Sequence, residues 1–160
     1  MLDVFTVSFF GHRDFSLHNK IEQKLFDIIY QLISEHDYVD FLVGRNGEFD
    51  QFVTSTLRLA KQKFSSSDFS IIWILPYETA DLRKNKVYYD KYYDEIEICS
   101  FSSCQYFKSS IQSRNREMIN RSQLVICYVD KKCGGAFQSI EYAKKQGKEI
   151  INLANEKLFL

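Results

Sequence analysis

The sequence is short of the residues that usually announce a chemistry: one proline, one tryptophan, six glycines and four cysteines in 160 residues. Cys99, Cys104, Cys127 and Cys133 include no CxxC pair and stand near no histidine at zinc-like spacing, so no metal site is expected. Cys127 falls inside an apolar run, which makes free thiols in a reducing cytosol the expected state. No charge of one sign dominates, since Lys+Arg and Asp+Glu are 21 each. That balance argues against nucleic acid as a partner, while leaving room for a local basic pocket around Arg114 and Arg116. No apolar stretch approaches the roughly 18 residues of a membrane span. The opening MLDVFTVSFF carries Asp3 and lacks a basic leader, so it is expected to be a first strand in a cytoplasmic protein and not a signal peptide. The glycine fingerprint GxGxxG is missing after that strand, and GxxxxGK(S/T) is missing throughout. Both absences argue against an ordinary NAD dehydrogenase or P-loop ATPase, and no cofactor is expected.

What is present is an alternation of strand-like and helix-like segments. Short apolar runs rich in β-branched and aromatic residues occupy residues 4–10, 39–43, 69–75, 124–129 and 149–153, with a shorter one near 96–99. Between them, apolar residues at three-and-four spacing predict helices over 17–36, 49–63, 111–121 and 137–146, the first with Ser16 as N-cap. Pro76 ends the third strand, and the tyrosine-rich 77–110 predicts only one or two helical turns. No repeat or linker divides the chain. The expectation is one α/β domain over 1–160, a doubly wound, mostly parallel, Rossmann-like sheet with helices on both faces.

In such sheets ligands bind at the carboxyl ends of the strands. Three turns fall there: Gly11-His12-Arg13, the Gly44 to Asp50 segment with Arg45 and Gly47, and Asp130 to Gly135 leading into Ala136. Backbone amides of glycine turns that open a helix suit an anion, although glycine is also the default residue of an ordinary turn. Arg13 is either a solvated loop residue or faces the ligand. His12 fits a turn or stacking residue better than a catalytic base. Asp50 is either a carboxylate favoured by the first turn of a helix or an acceptor for ribose hydroxyls. Arg114 and Asn115 sit early in the predicted helix and are not explained by core packing, though a solvated helix face is the competing reading. Glu141 either pairs with Lys144 or Lys145 or points back to the same mouth. Tyr77 and the Tyr88–Tyr93 group either line the pocket or form an oligomer interface.

Four segments together resemble the SLOG superfamily, named for Smf/DprA and Lonely Guy proteins. They are FFGHRDF, GRNGEFDQ, WILPY with YYDKYYDEIE, and SRNREMINRSQLVICYV followed by GGAFQSIEYAKKQGKEIINL. The resemblance covers nearly the whole chain. It implies a nucleotide or nucleotide-derived ligand, such as an ADP-ribose-like molecule or a cyclic nucleotide, bound for signalling or sequestration, with a homo-oligomer expected. The ligand residues it implies are Gly11, His12, Arg13, Gly44, Arg45, Gly47, Asp50, Arg114, Asn115, Gly134, Gly135 and Ala136. Lonely Guy enzymes cleave the N-glycosidic bond of nucleoside monophosphates, and on that alternative Arg114 and Glu141 are the catalytic pair. Cys133, Phe137 and Gln138 depart from the PGGxGT part of their motif, so the resemblance implies binding more firmly than hydrolysis.

Overall fold

A computed structural model of the protein describes residues 2–16, 19–64, 68–100 and 107–155. The expected helix start at Leu17, the serine break at 65–67 and Cys104 lie outside those residues. In chain order the elements are β1 (Val4–Gly11), α1 (Asn19–Glu35), β2 (Tyr38–Val43), α2 (Glu48–Lys63), β3 (Phe69–Leu75), α3 (Ala80–Lys84), α4 (Lys86–Tyr92), β4 (Glu95–Ile98), α5 (Phe107–Arg121), β5 (Leu124–Tyr128), α6 (Gly135–Lys145) and β6 (Glu149–Asn152).

The six strands form one sheet in the order β4-β3-β2-β1-β5-β6, and every adjacent pair is parallel. Parallel neighbours need a crossover, and helices supply it, which is why strand and helix alternate along the chain. From β1 the chain winds through β2, β3 and β4 to one edge. It then returns across the sheet and adds β5 on the other side of β1. The strand order therefore reverses between β1 and β5, where the diverging crossovers leave a crevice at the carboxyl ends.

Side-chain alternation divides the core into two layers. Val7 and Phe9 of β1, Phe41 of β2, Ile71 and Trp73 of β3 and Ile126 of β5 pack with α1 and α2. Phe10, Leu42, Ile72, Ile74, Val125 and Cys127 pack on the opposite face with Met118 and Ile119 of α5 and Ile140 and Ala143 of α6. Burial holds the thiols of Cys127 and Cys99 up to about 12, so both stay protonated. The end of α5 is fixed to β1 by polar contacts. Ser8 Oγ lies 2.5 Å from Ser122 Oγ and donates to Met118 O at 3.0 Å, while Thr6 and Gln123 exchange two bonds at 2.7 and 2.9 Å.

Two segments differ from the sequence expectation. α5 begins at Phe107 and not at 111, because its first turn is polar and carries no apolar periodicity. The tyrosine-rich stretch forms two short helices meeting at Asn85, the first capped by Thr79 Oγ1 accepting from Leu82 N–H at 3.1 Å. Tyr89 and Tyr93 are buried with ring centroids 5.0 Å from Trp73, so they belong to the core. Among the described residues no helix is long and apolar enough to cross a membrane.

Phe41 is fully buried between the rings of Phe9 and Phe69, at 5.9 and 5.7 Å. Phe41→Ala is expected to cost about 3–5 kcal/mol, read as a lower urea midpoint with an unchanged slope.

Candidate ligand cleft at the strand ends

A cleft opens where the crossovers diverge. It is lined by Phe9, Phe10, Gly11 and Arg13 from β1 and its loop, by Gly44, Asn46, Gly47 and Asp50 from the β2–α2 turn, by Ile111, Arg114, Asn115 and Met118 from α5, and by Ala136 from α6. Residues distant in sequence meet because all three loops leave the same end of a parallel sheet.

The rim is set by close backbone packing. Arg13 O accepts from Glu48 N–H at 3.1 Å, joining the first loop to the start of α2. A Cβ on Gly47 would stand 2.6 Å from Arg13 Cα, so only glycine permits that approach. His12 Nε2 accepts from Asp130 N–H at 3.2 Å and thereby ties the ends of β1 and β5 together. It is a turn residue and lies outside the cleft lining. Asp50 Oδ2 accepts from Asn46 N–H at 2.9 Å and closes the β2–α2 turn, leaving Oδ1 without a bond to the described residues.

Arg114 dominates the floor. It is 4% exposed, and its guanidinium is held by neutral acceptors. Nε and Nη2 donate to Asn115 Oδ1 at 3.0 and 2.8 Å, and Nη1 donates to Ile74 O at 3.3 Å. Among the described residues it makes no ion pair. Gly44 separates it from Asp50: a Cβ there would stand 3.1 Å from Arg114 Nη1 and 3.0 Å from Asp50 Oδ2. Burial lowers the Arg114 pKa, opposed by the negative charge of Asp50. Asn115 continues the network, donating from Nδ2 to Ser139 Oγ at 3.1 Å, and Ser139 donates to Gly135 O at 2.9 Å. Asn115 is thus a positioning residue for Arg114, both its polar atoms being engaged within the protein.

Of the residues expected to meet a ligand, Gly11, Arg13, Gly44, Gly47, Asp50, Arg114, Asn115 and Ala136 line this cleft. Arg45 turns away, donating to Tyr93 Oη at 3.2 Å with its guanidinium 5.1 Å over the Tyr89 ring. Gly134 takes φ +94° as the N-cap of α6, a backbone state that favours glycine, and Gly135 lines a neighbouring cavity. Glu141 lies on α6 outside the cleft lining and accepts from Lys144 Nζ at 3.3 Å. The sequence reading overlooked Asn46, Ile111, Met118 and the two phenylalanines of β1. It also placed Arg114 near a helix start, whereas α5 begins two turns earlier. The available signal was the spacing 111, 114, 115, 118, 119, which puts Arg114 and Asn115 on the apolar face of the helix.

No protein-family model matches the sequence, and no curated protein is detectably similar to it. Solved structures are. The chain superposes on DNA processing protein A (DprA) of Streptococcus pneumoniae with TM-score 0.64 at 15% identity, over 91% of this chain and 49% of that one. For the Helicobacter pylori DNA processing protein A the values are 0.63 and 17%, over 97% of this chain and 72% of that one. The chain shares the Rossmann-like fold of these two DNA processing proteins. It spans about half the length of the pneumococcal protein. The Helicobacter protein has a single-stranded DNA binding mode, which overturns the expectation from net charge that nucleic acid is an unlikely partner. The physical reason is that a balanced total says nothing about local charge. Arg13, Arg116, Lys131 and Lys132 are all exposed on or near the three loops at the carboxyl end of the sheet.

Two substitutions test the cleft's construction. Gly47→Ala is expected to destabilise the fold by about 1–3 kcal/mol through overpacking against Arg13, whereas Gly135→Ala, with open space around its Cβ, is expected to leave the melting temperature nearly unchanged. Asp50→Asn tests the electrostatics. Burial is the largest influence on this carboxyl and holds its pKa above the ordinary 3.8, against the Asn46 N–H bond and the charges of Arg114 and Arg13. The folded state therefore binds the proton more tightly than the unfolded state, and ionisation weakens the fold as pH rises above about 4. Asp50→Asn is expected to raise the melting temperature at pH 7, with the gain disappearing towards pH 3.5 (roughly the carboxyl range).

Proposed function

We propose that the chain binds a phosphate-bearing nucleotide or nucleotide-derived ligand in this cleft. One observation carries the reading: the Arg114 guanidinium is buried at the floor, is bonded only to neutral acceptors, and makes no ion pair among the described residues. Burying a cation costs several kcal/mol unless a partner is supplied. An anionic ligand entering beside Gly44 supplies one, in a charge-assisted and geometrically matched contact. The unbonded Oδ1 of Asp50 then suits a ribose hydroxyl, and the N–H groups of the opening turn of α6, where Ala136 lines the cleft, suit remaining phosphate oxygens. Neutral donors alone would suit many ligands. The pairing of a buried cation with a nearby carboxylate fits a molecule that carries both a phosphate and a hydroxylated sugar.

Sensing or sequestering such a ligand in a reducing cytosol agrees with the free thiols of Cys99, Cys127 and Cys133. Glu141 pairs with Lys144 away from the cleft, so its position gives no support to glycosidic hydrolysis by that residue. A second reading is favoured by the Helicobacter pylori DNA processing protein A, which shares the fold and binds single-stranded DNA. On that reading the nucleotide unit in the cleft belongs to a strand.

Calorimetry with AMP and with a short oligodeoxythymidylate tests both. AMP binding that weakens about tenfold or more in Arg114→Gln, the scale of a lost charged hydrogen bond, supports the first reading. Binding of the oligonucleotide alone, with affinity that falls steeply as salt rises, supports the second. No heat from either ligand, or equal affinity in the variant, refutes the proposal.

A further inference from the structure

Beside the cleft a second cavity opens between α5 and α6. Gln112, Arg116, Gln138, Ser139 and Tyr142 form its wall, together with Asn115, which also lines the first cleft. Gly135 lines the second and Ala136 the first, so neighbouring residues in the opening turn of α6 border the two. No carboxylate lines the second cavity.

Most polar groups of this wall are already matched. Gln112 Nε2 donates to Gln138 Oε1 at 2.9 Å, Asn115 Nδ2 to Ser139 Oγ at 3.1 Å, and Tyr142 Oη to Asn120 Oδ1 at 2.8 Å. Arg116 is different. Its guanidinium lies 5.1 Å over the Tyr142 ring, which holds the charge beside the cavity, and it makes no ion pair among the described residues. Gln138 Nε2 is a second donor left over once its oxygen is engaged. Arg114 and Arg116 are two residues apart, so at 3.6 residues per turn they project from nearly opposite sides of α5. One faces the sheet and the other faces α6. A single phosphate cannot serve both.

We propose that this cavity receives a second phosphate of the ligand held in the first cleft, bound by Arg116 and Gln138. The inference rests on the nucleotide reading of that cleft and narrows its ligand to a molecule with two phosphates. The second group is either the β-phosphate of a nucleoside diphosphate or the linking phosphodiester of a dinucleotide unit, the same chemistry from two sources. A monophosphate fills only the Arg114 side and leaves Arg116 to water.

The test is calorimetry of AMP, ADP and the 5′-phosphorylated adenylyl dinucleotide with the wild type, Arg116→Gln and Gln138→Glu. Both positions are exposed, and equal melting temperatures of the three proteins check that folding is retained. The expected result is at least tenfold tighter binding of ADP or the dinucleotide than of AMP. Arg116→Gln should abolish that preference while leaving AMP affinity unchanged, and Gln138→Glu should reverse it. Preference for ADP alone identifies the terminal phosphate as the source, and preference for the dinucleotide alone identifies the phosphodiester. If AMP binds through Arg114 but neither longer ligand binds more tightly, or if the preference survives in Arg116→Gln, the second subsite is refuted and the first cleft stands. If none of the three ligands binds, both fall.

Discussion

The burial of one guanidinium is the constraint around which the strand-end architecture is arranged. Arg114 stands on the apolar face of α5, between Ile111 and Met118, where packing would favour a hydrophobe. Its charge is held there by the carboxamide of Asn115 and the carbonyl of Ile74, with Asp50 close enough to be felt electrostatically and too far for an ion pair. Such a group is costly to the free protein and most stable when an anion joins it. The network from Asn115 through Ser139 to the Gly135 carbonyl fixes its direction, because each donor in the chain has one acceptor. Rigidity of that kind reduces what ordering a ligand must supply.

The parallel sheet brings the remaining pieces to that guanidinium. Winding outward from β1 and returning to β5 gathers the first two loops and the start of α6 at one end of the sheet. The loops are locked by one main-chain bond, Glu48 N–H to Arg13 O, and by Asp130 N–H donating to the His12 imidazole Nε2, so the rim does not depend on long flexible side chains. Gly44 then lets Arg114 and Asp50 approach the same point from two sides. The result places a buried cation and a desolvated carboxylate near one another, each disfavoured alone.

Much of this was legible in the chain. Apolar runs of strand length at 69–75 and 124–129, separated by helical spacing, carry the parallel α/β class directly, because strands covered on both faces need such runs. The glycine turns after β1 and β2 were likewise visible, since ligand clefts in these sheets form at strand ends. What the sequence did not show depends on contacts between distant segments. The direction of Arg45 is decided by Tyr89 and Tyr93 on a segment with weak periodicity. The role of His12 depends on meeting Asp130 across the switch point. Net charge misled about nucleic acid because a balanced total says nothing about how charge is distributed over the surface. Arg114 itself was found, but for the wrong reason: its polar character was noticed and its place on the apolar stripe was not.

The most direct measurement is an NMR titration of the arginine Nε–H groups in 15N-labelled protein with AMP, the Arg114 signal being assigned by its loss in Arg114→Lys. The expected result is a large, saturable shift of Arg114 with the same dissociation constant as calorimetry, while Arg45 stays in place. Saturable binding that leaves the Arg114 resonance unmoved would contradict the account.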